Sequence, residues 1–146
     1  MTPSIVTDAH VFLRPCDLAV LNDWLRLYDS DATKAVVKKW VTFYKQHRPI
    51  LTSDIVHVRR PDMQSIDSFM HVNPFLAEKA LAMVFNPTSR RIAQTLRLPL
   101  YYTGLSSTAT VSEQGTNSSV YQLARDYSID VPVDLPANTL TWFLVQ

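Results

Sequence analysis

Two periodicities divide the chain. Between residues 10 and 48 apolar side chains recur every three or four positions, whereas from 54 to 146 they recur every second position in short runs. The first spacing lines one face of a helix and the second one face of a strand. Segregation of this kind predicts an α+β chain, mainly β with N-terminal helices, rather than alternating βαβ units.

In the helical part, Arg14-Pro15-Cys16-Asp17 places a proline at a helix start, and Leu18, Leu21, Leu25 and Tyr28 follow on one face. That helix should stop near Asp29. Ser30 or Asp31 then caps a second helix, in which Ala32, Val36, Trp40, Phe43, Tyr44 and His47 form the apolar stripe. Lys34, Lys38, Lys39 and Lys45 fall largely on the opposite side. Pro49 is expected to end this helix, because the residue before a proline is pushed out of the helical region.

From Asp54 onward, turn residues interrupt the alternation at intervals of about eight to twelve, the rhythm of an antiparallel Greek-key β-sandwich of about seven to eight strands. Strands are expected at 55–59, 66–72, 79–85, from Ile92 through Leu98, 109–111, 120–123, 127–133 and 139–145. In the fourth, Gln94 and Arg97 are assigned to the wetter face. The breaks at Arg60-Pro61-Asp62, Asn73-Pro74 and Asn86-Pro87-Thr88 pair proline with polar neighbours, turn chemistry that works without glycine. Pro99 to Leu105 reads as an aromatic connection, and Glu113 to Ser119 as a polar hairpin loop. Pro132 and Pro136 mark edges or bends. No internal repeat is visible.

Composition narrows the function more than the fold. At 146 residues the chain is too short for a complete (β/α)8 barrel, which needs about 250. With two glycines, it lacks the backbone freedom that phosphate loops, dinucleotide turns and nucleophile elbows exploit, and no G-x-S-x-G is present. Lysine and arginine number 14 against 13 acidic residues, so no global field attracts nucleic acid or an anionic membrane. Charge is uneven locally: Lys34 to Arg60 holds seven basic residues against Asp54 alone, read as the solvated face of the second helix plus strand ends. Met1-Thr2-Pro3-Ser4 lacks a basic region leading into an apolar run, and no stretch approaches the length of a membrane span, so neither export nor insertion is expected.

Reactive groups are sparse. Cys16 is the lone cysteine and reads as a small buried residue at a helix start. His10, His47, His57 and His71 show no metal-ligand spacing, and no cofactor is expected. Asp54, Asp62 and Asp67 are the densest carboxylates, but their places beside turns suit structure better than the acid and base pair of a glycosidase. Asn117-Ser118-Ser119 matches a glycosylation sequon in an expected loop. Tyr101 and Tyr102 in the aromatic connection, with Trp142 on the last strand, could stack a sugar ring. The structural alternative is that Trp142, between Leu140, Phe143 and Leu144, closes the core.

The segment Trp40 to Asp62 resembles the junction in α-galactosidase-like glycoside hydrolases where the last helix of the catalytic barrel passes into a C-terminal β-sandwich. His71-Val72-Asn73-Pro74, Ala80 to Thr88 and Leu98-Pro99-Leu100-Tyr101-Tyr102-Thr103-Gly104-Leu105 are similar to the strands that follow in large bacterial members. The similarity spans about residues 36 to 146 and carries no catalytic signature, because the family's catalytic carboxylates belong to the barrel. Met63 and Ala80 stand where relatives are expected to hold glycine. The resemblance implies a helical segment, 1–52, packed on a sandwich, 53–146, in one compact domain, with Trp40, Phe43, Tyr44 and Ile50 meeting strands that bear Ile55, Met83 and Phe85. Separated from its barrel, such a domain would expose apolar surface, which a homodimer or a helix rearrangement would cover.

Three functions follow. The first is a non-catalytic accessory or stabilising sandwich whose partner is a hydrolase barrel. The second is a free-standing carbohydrate-binding module using Tyr101, Tyr102 and Trp142. The third, a small enzyme in its own right, has the least support in the residues.

Overall fold

The computed structural model describes residues 28–146, which hold one α-helix and eight β-strands. The expected first helix, with Cys16, lies outside the described residues, as does His10. The chain divides at Arg48/Pro49 into two compact units.

Helix α1 runs Asp31–Leu51. Ser30 caps it: its Oγ accepts from the Thr33 backbone N–H at 3.1 Å. The aromatic stripe forms as spaced, with Trp40 edge-on to Phe43 at 5.6 Å and Phe43 tilted against His47 at 5.0 Å. Pro49 does not stop the helix. It sits in the last turn, where the hydrogen bond it cannot make is one of few remaining, and the helix continues to Leu51. The Pro49 carbonyl then accepts from the Ser53 hydroxyl at 2.9 Å, closing the helix end.

The strands are β1 Asp54–Arg59, β2 Asp67–Val72, β3 Ala80–Asn86, β4 Ile92–Pro99, β5 Thr108–Glu113, β6 Thr116–Gln122, β7 Ser128–Leu135 and β8 Thr139–Val145. They form a six-stranded sheet in the order β1-β2-β3-β8-β5-β6 and a two-stranded sheet of β4 and β7. Every pairing is antiparallel. The last strand returns to lie between the third, which it pairs along its whole length, and the fifth, which it pairs only from Phe143 to Val145.

Period two explains who faces inward. In β7, Ile129, Val131, Val133 and Leu135 are buried while Asp130, Pro132 and Asp134 are exposed. Residues from both sheets meet in one buried cluster that includes Met70, Val84, Leu98, Val111, Val131 and Phe143. Two polar latches also join the sheets. The fully buried Asn86, at the end of β3, donates through Nδ2 to the carbonyls of Leu135 and Pro136 at 3.1 and 2.8 Å. Ser65, before β2, donates to Gln94 Oε1 of β4 at 3.1 Å.

That second latch corrects the expectation for Gln94. It shares the inward parity of Ile92, Leu96 and Leu98 and is half-buried, while Arg97 is exposed; residues three apart on a regular strand cannot share a face. The hairpin after β5 is also tighter than expected. Gln114 and Gly115 both take left-handed φ, 50° and 73°, and Glu113 pairs directly with Thr116. Asn117 (φ 48°) adds one extra residue on β6 before Ser119 pairs with Val111, so the polar stretch is strand and bulge rather than loop.

The two positions where glycine was expected differ. Met63 adopts φ 59° in the turn after β1, a conformation that suits glycine. Ala80 opens β3 as an ordinary buried strand residue, paired with Val72 and Val145, and no reshaped turn occurs there.

Candidate functional site: an exposed aromatic corner

The connection after β4 curls into a single 3-10 turn, Tyr101–Thr103. Thr103 is fully buried and its hydroxyl donates to the Leu100 carbonyl at 2.6 Å, while Gly104 exits with φ 76°. With the turn pinned from inside, Tyr101 and Tyr102 point outward, 64% and 60% exposed. Tyr127, just before β7, joins them. Its φ of 60° is unusual for a bulky residue. Hydrogen bonds hold it there: its N–H donates to the Ala124 carbonyl, and its own carbonyl accepts from the Leu100 N–H, both at 2.9 Å.

The rings stand nearly perpendicular. Tyr101 lies 5.3 Å from Tyr102 at 89° and 5.6 Å from Tyr127 at 76°. Tyr101 is therefore coplanar with neither neighbour, and the pair Tyr101–Tyr102 makes no flat two-ring platform. A β-carbon on Gly104 would lie 3.4 Å from the Pro74 Cβ, which brings the β2–β3 connection against this turn. The next residue there, Phe75, is 94% exposed. Its N–H is tied to Asn73 Oδ1 at 3.0 Å, and the Lys79 ammonium donates to the Pro74 carbonyl at 2.7 Å.

The sequence reading singled out Tyr101 and Tyr102, which are exposed here, and did not single out the exposed Phe75 and Tyr127. Phe75 follows a turn proline, out of step with the strands on either side, and that break in period was its signal. Tyr127 extended the alternation of β7, which concealed its left-handed backbone. Trp142 is not part of the corner. It lies within β8 opposite Met83, half-buried, on the face turned away from the shared cluster. Nor does it close that cluster: Thr141, Phe143 and Val145 supply the inward face of β8.

The carboxylates are distributed: Asp62, Asp126 and Asp134 are held by hydrogen bonds, while Oδ1 of Asp67 is buried with no hydrogen-bond partner. Asp62 Oδ1 accepts the backbone N–H groups of Gln64 and Ser65, and its Oδ2 accepts from Arg59 at 2.9 Å. The bond from the Gln64 N–H leads in holding its carboxyl below the ordinary 3.8, and those from Ser65 and Arg59 add to it, against an opposing desolvation. Asp126 is lowered first by its bond from the Ser128 hydroxyl and further by Arg97. Asp134 is lowered by a two-pronged bond from Arg91, at 2.6 and 2.5 Å. Asp54 and Asp67 sit at opposite ends of the β1–β2 ladder, facing Val72 and Phe85 across their strands, so the three densest carboxylates do not converge. Among the described residues no group of three or more His, Cys, Asp or Glu is placed to hold a metal ion. No helix among them is long and apolar enough to cross a membrane.

Comparison with known proteins adds a distant likeness. No protein-family model and no curated protein matches the chain. Among solved structures it is similar to a candidate α-N-acetylgalactosaminidase from Bacillus halodurans C-125, at 14% identity and a TM-score of 0.44. The match covers 63% of this chain and 19% of that one, so it spans about a fifth of that protein's length.

Proposed function

We propose that the chain is a non-catalytic accessory β-sandwich, of the kind that stabilises a glycoside hydrolase barrel. One observation carries the proposal: the central strands of the six-stranded sheet are apolar on both faces. Ala80, Ala82 and Val84 of β3 face the shared cluster, yet Leu81 and Met83 on its other face are buried as well, and Leu140, Trp142 and Leu144 continue that outer face on β8. A sheet that only faced water on its outer side would alternate with polar residues there. Leu81, Met83 and Leu144 are already buried within this chain, so the barrel as partner rests on the resemblance of residues 36 to 146 to the sandwich that follows a hydrolase barrel.

The test is direct. Purified chain is expected to leave aryl galactosides and aryl N-acetylgalactosaminides intact; hydrolysis abolished by substituting a single carboxylate would overturn the proposal. A barrel encoded beside this reading frame is expected to elute with the chain when the two are co-expressed.

Carbohydrate binding is the second reading, favoured by the exposure of Tyr101, Tyr102 and Phe75. Perpendicular rings suit one sugar stacked on one ring, with neighbouring hydroxyls contacting the next edge. On this reading Y101A and Y102A each weaken binding of galactosides or glucans by about tenfold, the loss of one stacking contact. Absence of binding at millimolar sugar removes it.

A further inference from the structure

We propose that the free edge of β6 pairs antiparallel with the β6 of a second copy of the chain, with Val120 on the two-fold axis. The argument begins with how the other edges are protected. An unpaired strand edge invites another strand, and proteins guard it with charge, proline or a bulge. Edge strand β1 opens on Asp54, has a register shift between His57 and Arg59, and runs into Arg60-Pro61. The two-stranded sheet is guarded on both sides: β7 exposes Asp130, Pro132 and Asp134, and β4 carries Arg97 and ends at Pro99.

β6 has almost none of this. Thr116–Gln122 contains no charged residue and no proline, and all but Tyr121 of its residues are exposed. It closes the six-stranded sheet, and its outer side pairs with no strand among the described residues. Its one irregularity, Asn117 at φ 48°, interrupts the ladder only at its start.

Beyond the bulge, Ser119 to Gln122 pair regularly with β5. Val120 is the one exposed apolar residue of that stretch, and a two-fold axis through it places Ser119 opposite Tyr121 and Val120 opposite its own copy. No like charges meet, so the strand is complementary to itself, as a two-fold contact requires. Val120 is 70% exposed on a strand otherwise polar on that face, and a cross-strand valine pair would cover it. So short a pairing buries less than the roughly 1,000 Å² of a stable interface, so the dimer is weak and concentration-dependent.

The experiment uses the full chain in sedimentation velocity up to about 500 μM, a range suited to weak contacts. Wild type is expected to move from monomer to dimer, with protection of the Val120 amide, which points to the free edge, rising in parallel. V120K and V120E each place like charges across the axis and should raise the dissociation constant at least about tenfold. Mixing the two variants should restore association as a heterodimer, which damage to the monomer could not produce. A wild type that stays monomeric, or a V120K that dimerises like wild type, overturns the proposal.

Discussion

His71 shows how one buried side chain sets a pH limit. It is 8% exposed on β2, with Phe69 edge-on at 5.7 Å and its Nδ1 3.4 Å from the Ser53 carbonyl. Burial pushes its pKa below the ordinary 6.5, and the carbonyl opposes this only in part. The unfolded chain therefore binds a proton more readily than the native one. Stability is intact above about 6.5 and falls as pH drops below that value, until the native imidazole also protonates. The lowered aspartates act elsewhere, since their contributions are lost only below 3.8. Urea midpoints are expected to fall between pH 7.5 and 5, by clearly less in H71Q; equal losses in both proteins would refute the assignment. Asn86 offers a second test at this scale. Its Nδ2 serves three carbonyls, and its Oδ1 accepts from both the N–H and the hydroxyl of Thr88. N86A strands those groups and should cost about 2–3 kcal/mol in chemical denaturation, whereas loss of a solvated amide would cost almost nothing.

At the scale of elements, the strands were legible wherever an alternating or continuous apolar run met a proline turn, and α1 wherever its aromatic stripe kept helical spacing. The polar start of β6 was hidden for a plain reason. Thr116 to Ser119 is polar throughout, so no period could announce a strand, and its pairing is imposed by the left-handed pair Gln114-Gly115. Trp142 is half-buried on the outer face of β8, and burial there depends on what covers a sheet, which local alternation does not record. Tyr101 and Tyr102 could be found because Pro99 and Gly104 bracket them outside any strand. The turn after β1 gives a prediction in which sequence and structure agree. Relatives were expected to hold glycine at position 63, and Met63 there is left-handed and 71% exposed, with little packing to lose. A left-handed L-residue costs about 1–2 kcal/mol, part of which glycine returns as unfolded-state entropy. M63G should therefore raise stability by about 0.5–1 kcal/mol, and a lowered urea midpoint would show that the methionine side chain contributes contacts that outweigh its strain.

At the scale of the unit from Pro49 to Gln146, the question is whether the small sheet folds with the large one. A two-stranded ribbon is marginal by itself in water. β7, and β4 from Leu96 onward, nevertheless bury alternate residues as completely as the central strands do, because their inward side chains share a cluster with β2, β3, β5 and β8. Asn86 adds a hydrogen-bonded clasp at one end of that interface. The two sheets should consequently unfold as one cooperative body. Leu98, fully buried on β4, tests this: L98A removes a core side chain and should cost about 2–5 kcal/mol. If the coupling is as tight as the shared cluster implies, hydrogen exchange of amides in β3 and β8 will accelerate by the same factor as in β4 and β7. Acceleration confined to β4 and β7 would mean that the ribbon opens independently, and the aromatic corner, which hangs from the ends of those two strands, would then open with it.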